Sequence, residues 1–92
     1  MTTFRPHPSV VSTEVEDAIV LLHLDTKRYF TLNSTGAAIW KHLSQGKPET
    51  DIVAALAAEY DADETHLAAS TRRMLEQLEK AALIEPDQAN SA

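Results

Sequence analysis

The chain of 92 residues has no cysteine. Disulfides, thiolate nucleophiles and cysteine-held metals are therefore excluded, and a reducing compartment is permitted. Glycine is scarce, with two residues in the whole chain, so there is no Gly-rich phosphate loop and no linker-like stretch. Cations are outnumbered, eight Lys and Arg against fourteen Asp and Glu, for a formal net charge of −6. Affinity for nucleic acid comes largely from clustered Lys and Arg, so a phosphate-backbone partner is disfavoured. Long apolar runs are also missing. Stretches such as Ala18–Leu22 fall far short of the roughly 20 residues a membrane span needs, and residues 1–8 do not resemble a signal peptide. The expectation is a cytoplasmic protein with no membrane and no nucleic-acid partner.

The residues present make one domain with a real core, since 43% of them are hydrophobic. Residues 1–8, with Pro6 and Pro8, read as an irregular lead. Residues 10–15 alternate, Val11, Thr13 and Val15 against Ser12 and Glu14, as a half-buried strand does. Glu16 and Asp17 mark a turn. Residues 18–24 are apolar at nearly every position, which suits a strand in mid-sheet. Asp25, Thr26 and Lys27 form a short connection, and residues 28–32 are the third strand. Tight turns make this an antiparallel meander whose first and third strands are edges.

Helical spacing follows. Asn33 suits the N-cap of a first helix over 34–45, with Gly36, Ile39, Trp40 and Leu43 on one face and Gly46 as a left-handed stop. Pro48 fits the first position of a second helix, with Glu49 and Asp51 at its positive end. Ile52, Val53, Leu56 and Tyr60 make its buried stripe. Asp63 is the expected N-cap of a third helix, whose shared face is Leu67, Thr71, Met74, Leu75, Leu78 and Ala82, running to about Leu83. Residues 86–92 read as a flexible tail. The fold class is α+β and winged-helix-like, a three-stranded antiparallel sheet followed by three helices.

No catalytic or metal constellation is visible. His7, His23, His42 and His66 lie on different elements without metal-site spacing, and Ser34 and Thr35 lack a matched base. Asp61, Asp63 and Glu64 act first as capping charges. The second and third helices imitate a helix-turn-helix, but Arg72 and Arg73 alone among acids do not clamp phosphates. Trp40 is assigned to the core. Tyr29 and Phe30, adjacent on a strand, face opposite ways, Phe30 with Leu32 toward the core and Tyr29 outward.

Several of these residues, in this order, resemble one family: Leu21-Leu22, Tyr29-Phe30, Leu32-Asn33-x-x-Gly36, Ile39-Trp40, Gly46, Ile52-x-x-Ala55-Leu56, Tyr60, Leu75-x-x-Leu78 and Leu83-Ile84. The resemblance, over residues 9–85, is to PqqD-like proteins, the recognition elements of ribosomally made, post-translationally modified peptides. Thr35-Gly36 followed by Ile39-Trp40 looks most like stand-alone members from lasso-peptide pathways. One departure is Lys27, where the family often has glycine before the third strand.

The resemblance implies a non-enzymatic module without cofactor or metal. It implies binding of a precursor's leader peptide as an added strand on the third strand, bordered by the third helix, and delivery to a leader peptidase or modifying enzyme. Carried onto this chain, the peptide-binding residues are Arg28, Tyr29, Phe30, Thr31, Leu32, Leu67, Thr71, Arg73, Met74, Leu75 and Leu78. Other readings are a carrier for a radical enzyme in cofactor or thioether-peptide synthesis, and an acidic winged-helix regulator or interaction domain.

Overall fold

The computed structural model describes residues 3–60 and 63–87. Its elements, in chain order, are β1 (Thr3–Pro6), β2 (Val10–Val15), β3 (Ala18–His23), β4 (Arg28–Leu32), α1 (Ser34–Ser44), α2 (Glu49–Tyr60), α3 (Glu64–Lys80) and β5 (Ile84–Asp87). Strands β2, β3 and β4 form a three-stranded antiparallel sheet in that order, and β1 and β5 form a separate two-stranded one. The meander and the three helices match the expected α+β architecture.

The helices cover one face of the larger sheet. Ile19, Leu21 and Leu32 are buried there with Ala37, Ile39, Trp40 and Leu43 of α1, and Ile52, Val53 and Leu56 of α2 complete the same core with Leu67, Leu75 and Leu78 of α3. Full burial of each large aliphatic side chain contributes about 1.5–3 kcal/mol. Trp40 is in the core, Phe30 packs against it, and Tyr29 is 71% exposed, as the alternation implies. Tyr60 is exposed rather than part of the α2 stripe.

Local chemistry sets the helix ends. Asn33 Oδ1 accepts from the Gly36 amide at 2.9 Å, capping α1, and Asp63 accepts from Thr65 N at 3.1 Å, capping α3. Gly46, at φ 84°, follows the α1 C-cap Gln45. Pro48 lies one residue before α2, where its carbonyl accepts from Ile52 N at 3.0 Å. Helix α3 stops at Lys80, short of Leu83. Ala82, exposed and at φ 60°, turns the chain back so that Leu83 and Ile84 enter the core.

The expectations for the two ends of the chain are corrected. Residues 3–6 are not irregular, because they pair with β5, Phe4 packs on the core, and Arg5 grips Glu85 through Nε at 2.7 Å and Nη2 at 2.6 Å. Pro86 and Asp87 belong to β5 rather than to a flexible tail, while 88–92 and the link residues 61–62 lie outside the described residues. Strand β2 alternates as expected, but its valines do not face the helices. Its register sets Ser12 against Leu21 and Glu14 against Ile19 on the helix side, and sends Val11, Thr13 and Val15 to the open face. Val11 and Val15 are consequently 47% and 52% exposed.

Lys27 bears on the departure from the family pattern. Its φ is 64°, a left-handed conformation that costs an L-residue with a Cβ roughly 1–2 kcal/mol and glycine almost nothing. After allowance for glycine's greater unfolded-state entropy, Lys27→Gly is expected to raise unfolding stability by about 0.5–1 kcal/mol. The check is the urea midpoint at unchanged m-value.

Candidate functional site

Strand β4 is an edge, and hydrogen-bond parity shows which of its groups are free. Leu24 N donates to Ser9 O at 2.8 Å, so Ser9 and Leu24 are a bonded pair. Antiparallel ladders alternate, which makes Val11·Leu22, Thr13·Val20 and Val15·Ala18 bonded pairs as well. The intervening residues of β3, namely Ile19, Leu21 and His23, then direct their main chain toward β4. The Lys27 N to His23 O bond, at 2.8 Å, lies on that side. Leu32, Phe30 and Arg28 are their partners. Tyr29 and Thr31 are left with N–H and C=O directed away from the sheet, at an edge no other described strand occupies.

Beside this edge lies a groove of about 390 Å³, lined by Phe30, Thr31, Leu32 and Asn33 on one side and Met74, Gln77, Leu78, Ala81 and Leu83 on the other. It is mainly apolar, because the strand's inward-facing side chains meet the flank of α3. Gly36 gives it room. A Cβ there would come within 3.1 Å of Met74 Cε and 3.3 Å of Leu32 Cβ, so the missing side chain lets Met74 lie over the start of α1.

The residues singled out from sequence divide by position. Phe30, Thr31, Leu32, Met74 and Leu78 line the groove. Arg28 and Tyr29 are exposed on the strand. Leu67, Leu75 and Thr71 are buried and are not among the residues that line the groove. Arg73 is exposed on α3 and lines a shallow concavity with Glu76, Gln77, Glu79 and Lys80. Asn33, Gln77, Ala81 and Leu83 were not anticipated. Gln77 and Ala81 extend the Met74–Leu78 flank at i+3 and i+4 spacing, a signal present in the sequence.

A second concavity, also about 390 Å³, is bordered by Glu14, Glu16, Asp17, Lys41, His42 and Glu59. Four of these groups are held in pairs. Lys41 Nζ contacts Glu14 Oε1 at 2.7 Å, and that hydrogen bond and charge hold the ammonium pKa above its ordinary value. His42 uses both ring nitrogens, Nε2 with Glu59 at 2.9 Å and Nδ1 with Lys47 at 3.0 Å. Among the described residues no group of three or more His, Cys, Asp or Glu could hold a metal, and no helix is long and apolar enough to cross a membrane. Arg72 is engaged with Glu49 at 3.4 Å.

An uncovered edge strand flanked by an apolar groove is the construction of a peptide-recognition domain. The family model described as "Coenzyme PQQ synthesis protein D (PqqD)" matches residues 18–84, and the chain belongs to that family, one of non-catalytic peptide-binding domains. It is similar to a solved structure described as "TbiB1 in Complex with the TbiA(beta) Leader Peptide", with 38% identity and TM-score 0.84 over 88% of this chain and 94% of that one. It is also similar to "Lasso peptide synthetase B1 complexed with the leader peptide", with 25% identity and TM-score 0.83 over 90% of this chain and 98% of that one. The comparison with curated proteins finds no match.

Two outcomes follow from the geometry. Thr31→Pro removes an outward donor and is expected to stay folded, whereas Phe30→Pro breaks the β3–β4 ladder; circular dichroism and urea unfolding distinguish them. The Thr71 hydroxyl is buried without a partner, a burden of about 1–3 kcal/mol. Thr71→Val should therefore raise stability by about 1 kcal/mol in the same unfolding assay.

Proposed function

We propose that this protein binds the leader segment of a ribosomally made precursor peptide, as an additional strand along β4, and delivers it to a leader peptidase or modifying enzyme of a lasso-type pathway in the cytoplasm. The observation carrying this reading is the free main chain of Tyr29 and Thr31 beside the apolar groove. Main-chain bonds to that edge supply affinity whatever the peptide's sequence, and the groove selects side chains at alternate positions. Family membership supports the peptide-binding role, as do the leader peptides named in both similar structures. The lasso assignment leans on the second of them and on the Thr35-Gly36 and Ile39-Trp40 pattern.

In the proposed complex, a strand beside β4 alternates its side chains between the groove and the open face near Tyr29. The groove side contacts Phe30, Leu32, Met74 and Leu78. Arg28, exposed on β4, and Arg73, exposed on α3, are the cations offered to acidic leader residues. The protein itself turns nothing over, and the bond-breaking belongs to the partner.

The test is titration of a fluorescent leader of the cognate precursor against the wild type, Thr31→Pro and Met74→Glu, each first checked for folding. Loss of a main-chain partner or a charge set in the groove is expected to weaken binding by about 1–3 kcal/mol, five- to 150-fold. Full leader affinity in both folded variants would place the peptide elsewhere. Mass spectrometry of the mixture should show the precursor intact, and cleavage without a second protein would contradict the non-enzymatic role.

A further inference from the structure

The sheet has a second edge, β2, and its main chain is as open as that of β4. By the same parity, Ser12 and Glu14 direct N–H and C=O away from β3. The outward N–H of Val10 is taken by His7 O at 3.0 Å. Ser12 and Glu14 thus present four main-chain groups, on a strand exposed from Val11 to Val15. Edges of this kind are normally covered or blunted by lysine, proline, a bulge or an inward-pointing charge; of these β2 has only Glu14, whose charge is met by Lys41 of the same chain at 2.7 Å.

We infer that β2 pairs with β2 of a second copy, antiparallel about a two-fold axis at Thr13, joining the two sheets into one of six strands. The register argues for this occupant. Centred on Thr13, Ser12 faces Glu14 of the second copy and Glu14 faces its Ser12. All four outward groups on each strand are then bonded, through four hydrogen bonds in total. Val11 faces Val15 twice, at non-hydrogen-bonded positions, where cross-strand side chains approach most closely. Centring one residue away, on Glu14, would set two carboxylates directly opposite each other. At Thr13 the carboxylate faces a serine and remains paired with Lys41 of its own chain at 2.7 Å.

One strand pair buries well under the roughly 800 Å² per partner of a stable complex. The dimer is accordingly weak, with a dissociation constant on the order of 10⁻⁴ M. Each copy carries −6. Their repulsion is largely screened at about 0.15 M salt, where the Debye length is about 8 Å, and is felt at about 0.01 M, where it is about 30 Å. Association should therefore weaken roughly tenfold on that dilution of salt, opposite to a contact held by ion pairs. The inference does not rest on the peptide-binding reading, since the two edges are separate.

Sedimentation equilibrium of the full chain from about 10 μM to 1 mM tests it. The expected result is a monomer–dimer equilibrium in about 0.15 M salt. Ser12→Pro removes an outward donor without touching the β3 ladder, and Val11→Lys sets a charge against Val15. Each should abolish the dimer and leave the circular dichroism and urea midpoint near wild type. The double variant Val11→Lys with Val15→Glu sets opposite charges face to face across the two-fold axis and should restore association, which also checks the register if either single variant folds poorly. A strictly monomeric wild type at 1 mM overturns the inference, as does a dimer unaffected by both single changes.

Discussion

The packing of Ile19, Leu21 and Leu32 against α1 is the contact on which the rest of the molecule depends. It fixes which face of the sheet is covered, and strand periodicity then fixes everything else about the sheet. With Leu21 inward, Phe30 must be inward and Tyr29 outward. Because main-chain direction alternates with the same period, the residues that face outward on β4 also offer their amides to the open edge. The exposed side chains and the free donors of Tyr29 and Thr31 are thus one consequence of one burial choice. A single-residue slip of β4 would reverse both and bury the groove's lining on the wrong side.

Helix α3 completes the site from a different constraint. Its core residues Leu67, Thr71, Leu75 and Leu78 fall on one stripe, and Met74, Gln77 and Ala81 fall on the flank turned toward β4. The helix ends at Lys80, and the left-handed Ala82 brings Leu83 back under the groove floor. Strand β5 follows at once and is tied to β1 by Arg5 and Glu85. The two-stranded sheet therefore anchors the end of α3, the element that borders the groove.

What could be read from sequence was what neighbouring residues decide among themselves. Asn33 with Gly36, Gly46 and Asp63 set helix ends through contacts a few residues long, and the three-strand meander follows from short polar links. The phase of β2 was not legible, because the alternation of valines with Ser12 and Glu14 favours the valines on the covered face, and only the hairpin register overrides it. The pairing of Val15 with Ala18 across the Glu16-Asp17 turn carries Ser12 and Glu14 inward with Ile19 and Leu21, and the valines outward. The β1–β5 pair was invisible for another reason, since Arg5 and Glu85 are 80 residues apart. At the groove, the strand wall of Phe30, Thr31 and Leu32 was legible because strands have two faces. The helix half was over-read, since helical spacing puts Thr71 and Met74 on one broad face and only packing separates a sealed side chain from a groove wall.

A groove built this way divides affinity from selectivity. In the proposed strand addition, the outward amides and carbonyls of Tyr29 and Thr31 would pair with any extended chain that has unblocked main-chain groups, so they would not discriminate among sequences. Discrimination falls to the wall of Phe30, Leu32, Met74 and Leu78 and to its depth. Methionine there is adaptable, with three rotatable bonds and a polarizable sulfur, and Gly36 gives its end space that an alanine would take. The wall is therefore rigid where Leu32 and Leu78 are buried in the core and yielding where Met74 is only half-buried. A rigid floor keeps the ordering cost of binding low, and one yielding side chain lets apolar residues of different shape be accommodated at the same position of an added strand.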